Sequence, residues 1–167
     1  MLKKPRRISW EKFWFLLSMM YSSRGTCDRL KVACLLVNNN RLVGAGYNGS
    51  PSGLPHCDDV GHLLIDGHCE RTLHAEENAI INSERSNIKN SVAYITATPC
   101  IRCAKLLINS GVKEIKCLGT YKNSRGKNHL EDLLKQAKIK LTYSKLKPQE
   151  LIDSAVVSLK SQGGLLT

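Results

Sequence analysis

His74, Glu76, Cys100 and Cys103 are the residues of this chain whose types and spacing could do chemistry. They stand in two short segments, His74-Ala75-Glu76 and Pro99-Cys100-Ile101-Arg102-Cys103, with 25 residues between His74 and Cys100. One imidazole and two thiolates suit Zn2+, and three protein ligands leave a fourth position for water, as a catalytic zinc requires. Cys100 and Cys103 are three apart, so on a helix they share a face and can reach one ion. Glu76 lies two residues past His74 and points elsewhere than the ligand, which leaves it available as a proton carrier. Each segment alone has a plainer reading. A lone C-x-x-C could be a redox pair or half of a structural zinc site, and a lone H-x-E is common by chance.

A second group precedes the first. Residues 48–68 are rich in Gly, Pro, Asp and His and read as a long loop, which needs a function or an anchor. This stretch and the residue after it carry His56, Cys57, His62, His68 and Cys69, and Cys27 stands upstream. The seven cysteines argue against a disulfide framework if the chain is cytosolic. Their density here suggests a structural zinc that pins the loop, the alternative being unmetallated surface residues. Cys34 and Cys117 lie inside strand-like runs and read as core thiols.

The elements that must hold these groups follow from periodicity. Trp10, Phe13, Trp14, Leu17, Met20 and Tyr21 recur at helical spacing after Ser9, an N-cap candidate, and make an amphipathic first helix. Its basic lead and short apolar run resemble a signal peptide, but Glu11 and Lys12 interrupt the approach. KVACLLV (31–37) and RLVGAGY (41–47) are β-rich runs around Asn38-Asn39-Asn40, a hairpin signal because Asn tolerates positive φ. A helix is expected from about His74 to Glu84, a strand over 91–97, and a helix from Cys100 to about Ser110, stopped by Gly111. Strand, helix, strand and helix follow over 114–120, 129–138, 139–144 and 148–160. The order implies an α/β three-layer sandwich, a mixed sheet of about five strands between helices. Each catalytic ligand group then opens a helix, where free N–H groups lower a thiolate pKa.

The 167 residues fit one domain over 1–167, and 42% hydrophobic residues is ordinary for a globular protein. No stretch is long enough to cross a membrane. The net charge of +11 suits nucleotide phosphates or a nucleic acid, but the basic residues are spread along the chain and choose no partner by themselves.

Joined, the two catalytic segments give H-x-E…P-C-x-x-C, the signature of zinc deaminases. The chain resembles the cytidine/deoxycytidylate deaminase superfamily, and within it the deoxycytidylate (dCMP) deaminases. The resemblance runs from ISWEKFW through SSRGTCDRLKVACLLV, GYNGSPSGLPHCDD, HCERTLHAEENAI and TPCIRCAKLLINSGVKEI to Tyr121. GYNGSPSG and its cysteine-bearing loop mark the dCMP branch. Riboflavin-pathway deaminases usually carry a longer second ligand segment, free cytidine deaminases lack the extended loop, and tRNA adenosine deaminases have a shorter connection and EPCxxC. The tRNA reading, and a non-catalytic deaminase-like zinc protein, remain the alternatives.

The resemblance implies hydrolytic deamination of dCMP to dUMP, with His74, Cys100 and Cys103 on zinc and Glu76 as proton shuttle. It implies a second zinc with Cys27 and Cys57, for which His68 and Cys69 are the favoured remaining ligands and His56 the alternate. It places Asn48 at the sugar, Ala75 at the base and Tyr121 near the substrate. Lys122 and Arg125, near Tyr121 in sequence, are candidates for the 5′-phosphate, the alternative being a solvated face. The resemblance further implies a cytoplasmic homohexamer regulated by dCTP (with Mg2+) and dTTP. The effector site would include Gly46, Gly49, Ser50 and Gly53. No nucleic acid or membrane partner is expected.

Overall fold

The computed structural model describes residues 7–121 and 126–160; Lys122 and Arg125 lie outside them. The sheet forms around β1 (Ala33–Asn38), which pairs antiparallel with β2 (Arg41–Tyr47) and with β5 (Val92–Ile95). β6 (Glu114–Cys117) and β7 (Lys140–Tyr143) continue it in parallel, giving the order β2-β1-β5-β6-β7. Asn39 and Asn40 turn the first hairpin at φ of 49° and 55°, a region Asn enters at little cost.

β1 shows why the sheet is covered on both faces. Its side chains alternate. Cys34 and Leu36 join Ala93, Ile95, Ile115 and Cys117 in one core, under α3 (Ala75–Ile81), α5 (Ile101–Asn109) and α6 (Lys127–Gln136). Leu35 and Val37 join Tyr94 in the other, under α1 (Trp10–Ser22) and α7 (Pro148–Lys160). The three-layer sandwich expected from the sequence is the observed one. Cys34 and Cys117 are buried core thiols, and burial pushes Cys117 up to about 12.

Ser9 caps α1, its hydroxyl accepting from the Lys12 N–H at 3.3 Å. The face of that helix differs from the periodicity reading. Trp14, Phe15 and Ser18 are buried, whereas Trp10, Phe13 and Met20 are exposed. Phe15 packs edge-on to Tyr94, and that contact, not the spacing of the larger aromatics, sets the helix rotation.

Two further departures concern lengths. Residues 48–68 are not structureless: they hold the one-turn helix α2 (Cys57–Val60) and, with Cys69, a small hairpin, β3 (Leu64–Ile65) with β4 (His68–Cys69). The helix after His74 ends at Ile81, and a separate turn, α4 (Arg85–Ile88), follows it.

Gly46 lets α3 lie directly on β2. A Cβ there would stand 2.3 Å from the Ala79 nitrogen and 2.4 Å from the Ala75 carbonyl oxygen. The contact is backbone on backbone, so it fixes the height of α3, and with it His74, above the sheet.

Candidate active site

His74 is the N-cap of α3 and Cys100 the N-cap of α5. α5 follows β5 and α3 follows the small β3–β4 hairpin, and their starts meet at His74 and Cys100. His74 Nδ1 lies 3.6 Å from Cys100 Sγ and 3.3 Å from Cys103 Sγ. A tetrahedral ion about 2.3 Å from sulfur and about 2.0 Å from nitrogen spaces such atoms about 3.5–3.8 Å apart. The group therefore has the donor chemistry and nearly the spacing of a three-ligand zinc site, with His74 offering Nδ1.

Without a metal, the three donors share protons unevenly. Cys100 is pulled down to about 3, first by its hydrogen bond with Cys103 and also by His74 and the Cys103 backbone N–H. Cys103 keeps its proton, pushed up by that hydrogen bond and by burial. His74 is raised to about 9 by its hydrogen bond to Cys100. Beside them Glu76 is 4% exposed, and burial lifts it to about 6. A carboxyl so placed can both take and give a proton near neutral pH.

The pocket in front of this group is lined by Asn48, His68, Ala75, Thr98, Arg102 and Tyr121 as well as by His74, Cys100 and Glu76, with Cys103 buried beneath. Asn48, Ala75 and Tyr121 thus share one pocket with Glu76. Asn48 also has a structural duty. Its Oδ1 accepts from the Val32 N–H at 2.7 Å and its Nδ2 donates to the Leu30 carbonyl at 2.8 Å. Tyr121 is anchored by its backbone N–H, which donates to Thr98 Oγ1 at 3.4 Å.

A second group forms in the pocket wall, which Cys27 and Cys69 help to line. Cys27, Cys57, His62 and Cys69 bring their ligand atoms within 4.8 Å of one another. Cys57 and Cys69 sulfurs are 3.6 Å apart, and Cys27 Sγ is 3.8 Å from His62 Nδ1. Four soft donors at these spacings suit a closed structural zinc. His62 Nε2 lies 3.0 Å from Asp28 Oδ1, the carboxylate–histidine pairing that orients metal-bound imidazoles.

His68 is not a member. It is adjacent to Cys69 in β4, and successive strand side chains point to opposite faces, so the two cannot readily serve one ion. His56, the alternate, opens α2 and lines a different cavity. The sequence carried a usable signal for this. Once His68-Cys69 is read as a strand, alternation excludes the pair and leaves His56 and His62, between which the fold chooses.

Gly46, Gly49, Ser50 and Gly53 line that other cavity together with Tyr21, Tyr47, Asn78 and Asn82. Gly49 and Leu73 exchange backbone hydrogen bonds of 3.2 and 2.9 Å, which ties this wall to the residue before His74.

The profile of the cytidine and deoxycytidylate deaminase zinc-binding region matches residues 9–119. The chain belongs to this family. Within this deaminase family it is 36% identical over 158 residues to ComE operon protein 2 of Bacillus subtilis, covering 93% of this chain and 79% of that protein. It is 29% identical over 151 residues to the deoxycytidylate deaminase of Schizosaccharomyces pombe, covering 84% of this chain but 46% of that longer protein. The crystal structure of the dCMP deaminase of cyanophage S-TIM5 in complex with dCMP and dUMP superposes with a TM-score of 0.69 at 26% identity. That match covers 83% of this chain and 99% of the phage chain.

Proposed function

We propose that residues 1–167 form one deaminase domain that converts dCMP and water to dUMP and ammonia. The observation that carries this reading is a buried Glu76 that shares one pocket with His74 and Cys100 of the His74–Cys100–Cys103 group. The likeness to a phage deaminase solved with dCMP and dUMP supports the choice of substrate. His74, Cys100 and Cys103 would hold zinc, whose Lewis acidity brings ionisation of the attacking water into the neutral range.

Glu76 takes the proton of the water that attacks C4 of cytosine and passes it to N3. It then takes the second water proton and delivers it to the departing amine, which leaves as ammonia and restores Glu76. Burial suits the carboxyl to this work, because a base near pH 6 holds a proton long enough to return it. Asn48, Ala75 and Tyr121 line the space for the nucleotide.

Cys27, Cys57, His62 and Cys69 would hold a second zinc that fixes the wall between the two cavities. We read the cavity along Gly46, Gly49, Ser50 and Gly53 as an effector site for dCTP with Mg2+. Support for it comes from the Gly49–Leu73 link to His74. A homohexamer in the cytoplasm completes the proposal. The cytoplasm agrees with the described cysteines being free, as the five in the two ligand groups must be to hold metal. No described helix is long and apolar enough to cross a membrane.

Ammonia release from dCMP, deoxycytidine and an adenosine-34-type tRNA hairpin tests the substrate. Turnover confined to dCMP is expected, and turnover confined to the tRNA would overturn the reading. Repeating the dCMP titration with dCTP and Mg2+ tests regulation, for which unchanged hyperbolic curves are the adverse result.

A further inference from the structure

Glu77 is buried at 9% exposure, yet the reaction above makes no use of it. Its two oxygens have separate partners. Oε2 accepts from the backbone N–H of His74 at 2.7 Å, and Oε1 accepts from Nη2 of Arg102 at 2.5 Å. Arg102 stands between Cys100 and Cys103 on the first turn of α5. One carboxylate therefore joins the backbone of one ligand to the turn that carries the other two.

Charge makes the partner necessary. The site already gathers Glu76 and the cysteine thiolates, and a further carboxylate in so buried a place needs a cation to offset its desolvation and repulsion. Arg102 supplies it with a fixed, planar donor, which holds direction better than an ammonium would. The arginine side chain is 55% exposed, so the pair adds little to global stability. What it fixes is the distance between the two helix starts that carry the ligands.

We propose that Glu77 and Arg102 form a strut that sets His74 against the Cys100–Cys103 turn, making both of them positioning residues for the metal-ligand group. This rests on the reading of that group as the catalytic zinc site. Neither residue transfers a proton or binds the metal. Their effect is to hold three ligands at one spacing, as outer partners of metal ligands commonly do.

Cobalt(II) in place of zinc reports ligand geometry through its visible bands, and the difference between wild type and Cys100→Ser isolates this site from the second one. Glu77→Gln and Arg102→Gln should each weaken cobalt binding here by about 10–100-fold. Each should also shift the bands and lower kcat with KM nearly unchanged. The double variant should be no worse than the worse single one, because both act through one linkage. Arg102→Lys, which keeps the charge, should recover part of the loss.

Arg102→Gln changes an exposed side chain, so it gives an answer even if Glu77→Gln fails to fold. Cobalt affinity and bands unchanged in Arg102→Gln would overturn the strut. So would a rise in KM alone, which would make Arg102 a substrate contact, or losses that simply add in the double variant. A wild-type protein with no Cys100-dependent cobalt spectrum would instead remove the catalytic-metal reading beneath it.

Discussion

Cys69 Sγ lies 3.6 Å from Cys57 Sγ, which fastens a two-residue strand to the start of a one-turn helix. Neither element has enough hydrogen bonds or apolar contacts to be stable alone. The second zinc proposed above would supply the interaction that orders the segment. His62→Ala should therefore lower bound zinc from two per chain to one, matching the two ligand groups. His68→Ala should keep both, by elemental analysis of purified protein. Amide exchange over 56–72 should accelerate in the first variant and not in the second. Loss of a zinc in His68→Ala alone would reverse the ligand assignment.

Glu76→Gln should retain the zinc held by His74, Cys100 and Cys103, since the carboxylate is not among the grouped ligand atoms. Turnover should fall by about 10²–10⁴-fold, the usual contribution of a positioned acid–base group. Metal content measured beside steady-state rates separates the two effects. Activity near wild type would remove Glu76 from the mechanism.

Zinc uptake at the first site should release protons, and the sign follows from the metal-free state. His74, raised to about 9, is charged at pH 7, and Cys103 holds its proton, whereas Cys100, near 3, has already lost its own. Zinc needs a neutral imidazole and two thiolates, so binding displaces the first two protons and not the third. Affinity should accordingly weaken as pH falls from about 9 towards neutrality, with protons competing at His74 and Cys103. Zinc titration in weak buffer with a pH indicator, using Cys57→Ser protein to silence the second site, measures the release. Uptake without proton release would contradict this account.

Gly46→Ala places a methyl group against the backbone of α3 at 2.3 Å from the Ala79 nitrogen. Backbone cannot step aside as a flexible side chain can, so the helix must shift. The expected cost is about 1–3 kcal/mol, typical of overpacking, read from denaturant midpoints. kcat should fall as well, because His74 and Glu76 move with the helix. Gly53→Ala tests the opposite case. Its Cβ would meet nothing within 4 Å, but φ of 82° strains the backbone, so stability should drop without the same loss of kcat.

The residue types and spacing determined the His74–Cys100–Cys103 group and Glu76 beside it. H-x-E and P-C-x-x-C are local patterns, each confined to one helix start, so their members keep fixed mutual positions once those helices form. The hairpin at Asn39-Asn40 and the alternation of strands and helices were legible for the same reason, as short-range stereochemistry. Other features were decided only by contacts between segments distant in sequence. The rotation of α1 depends on Tyr94, the choice of His62 over His68 on where Cys27 and Cys57 arrive, and the Glu77–Arg102 bridge on the approach of α3 to α5. Local pattern names the groups that can react, whereas burial and long-range closure settle which of them meet. In this protein that division falls between two neighbours, His68 and Cys69, which chain adjacency joins and strand geometry separates.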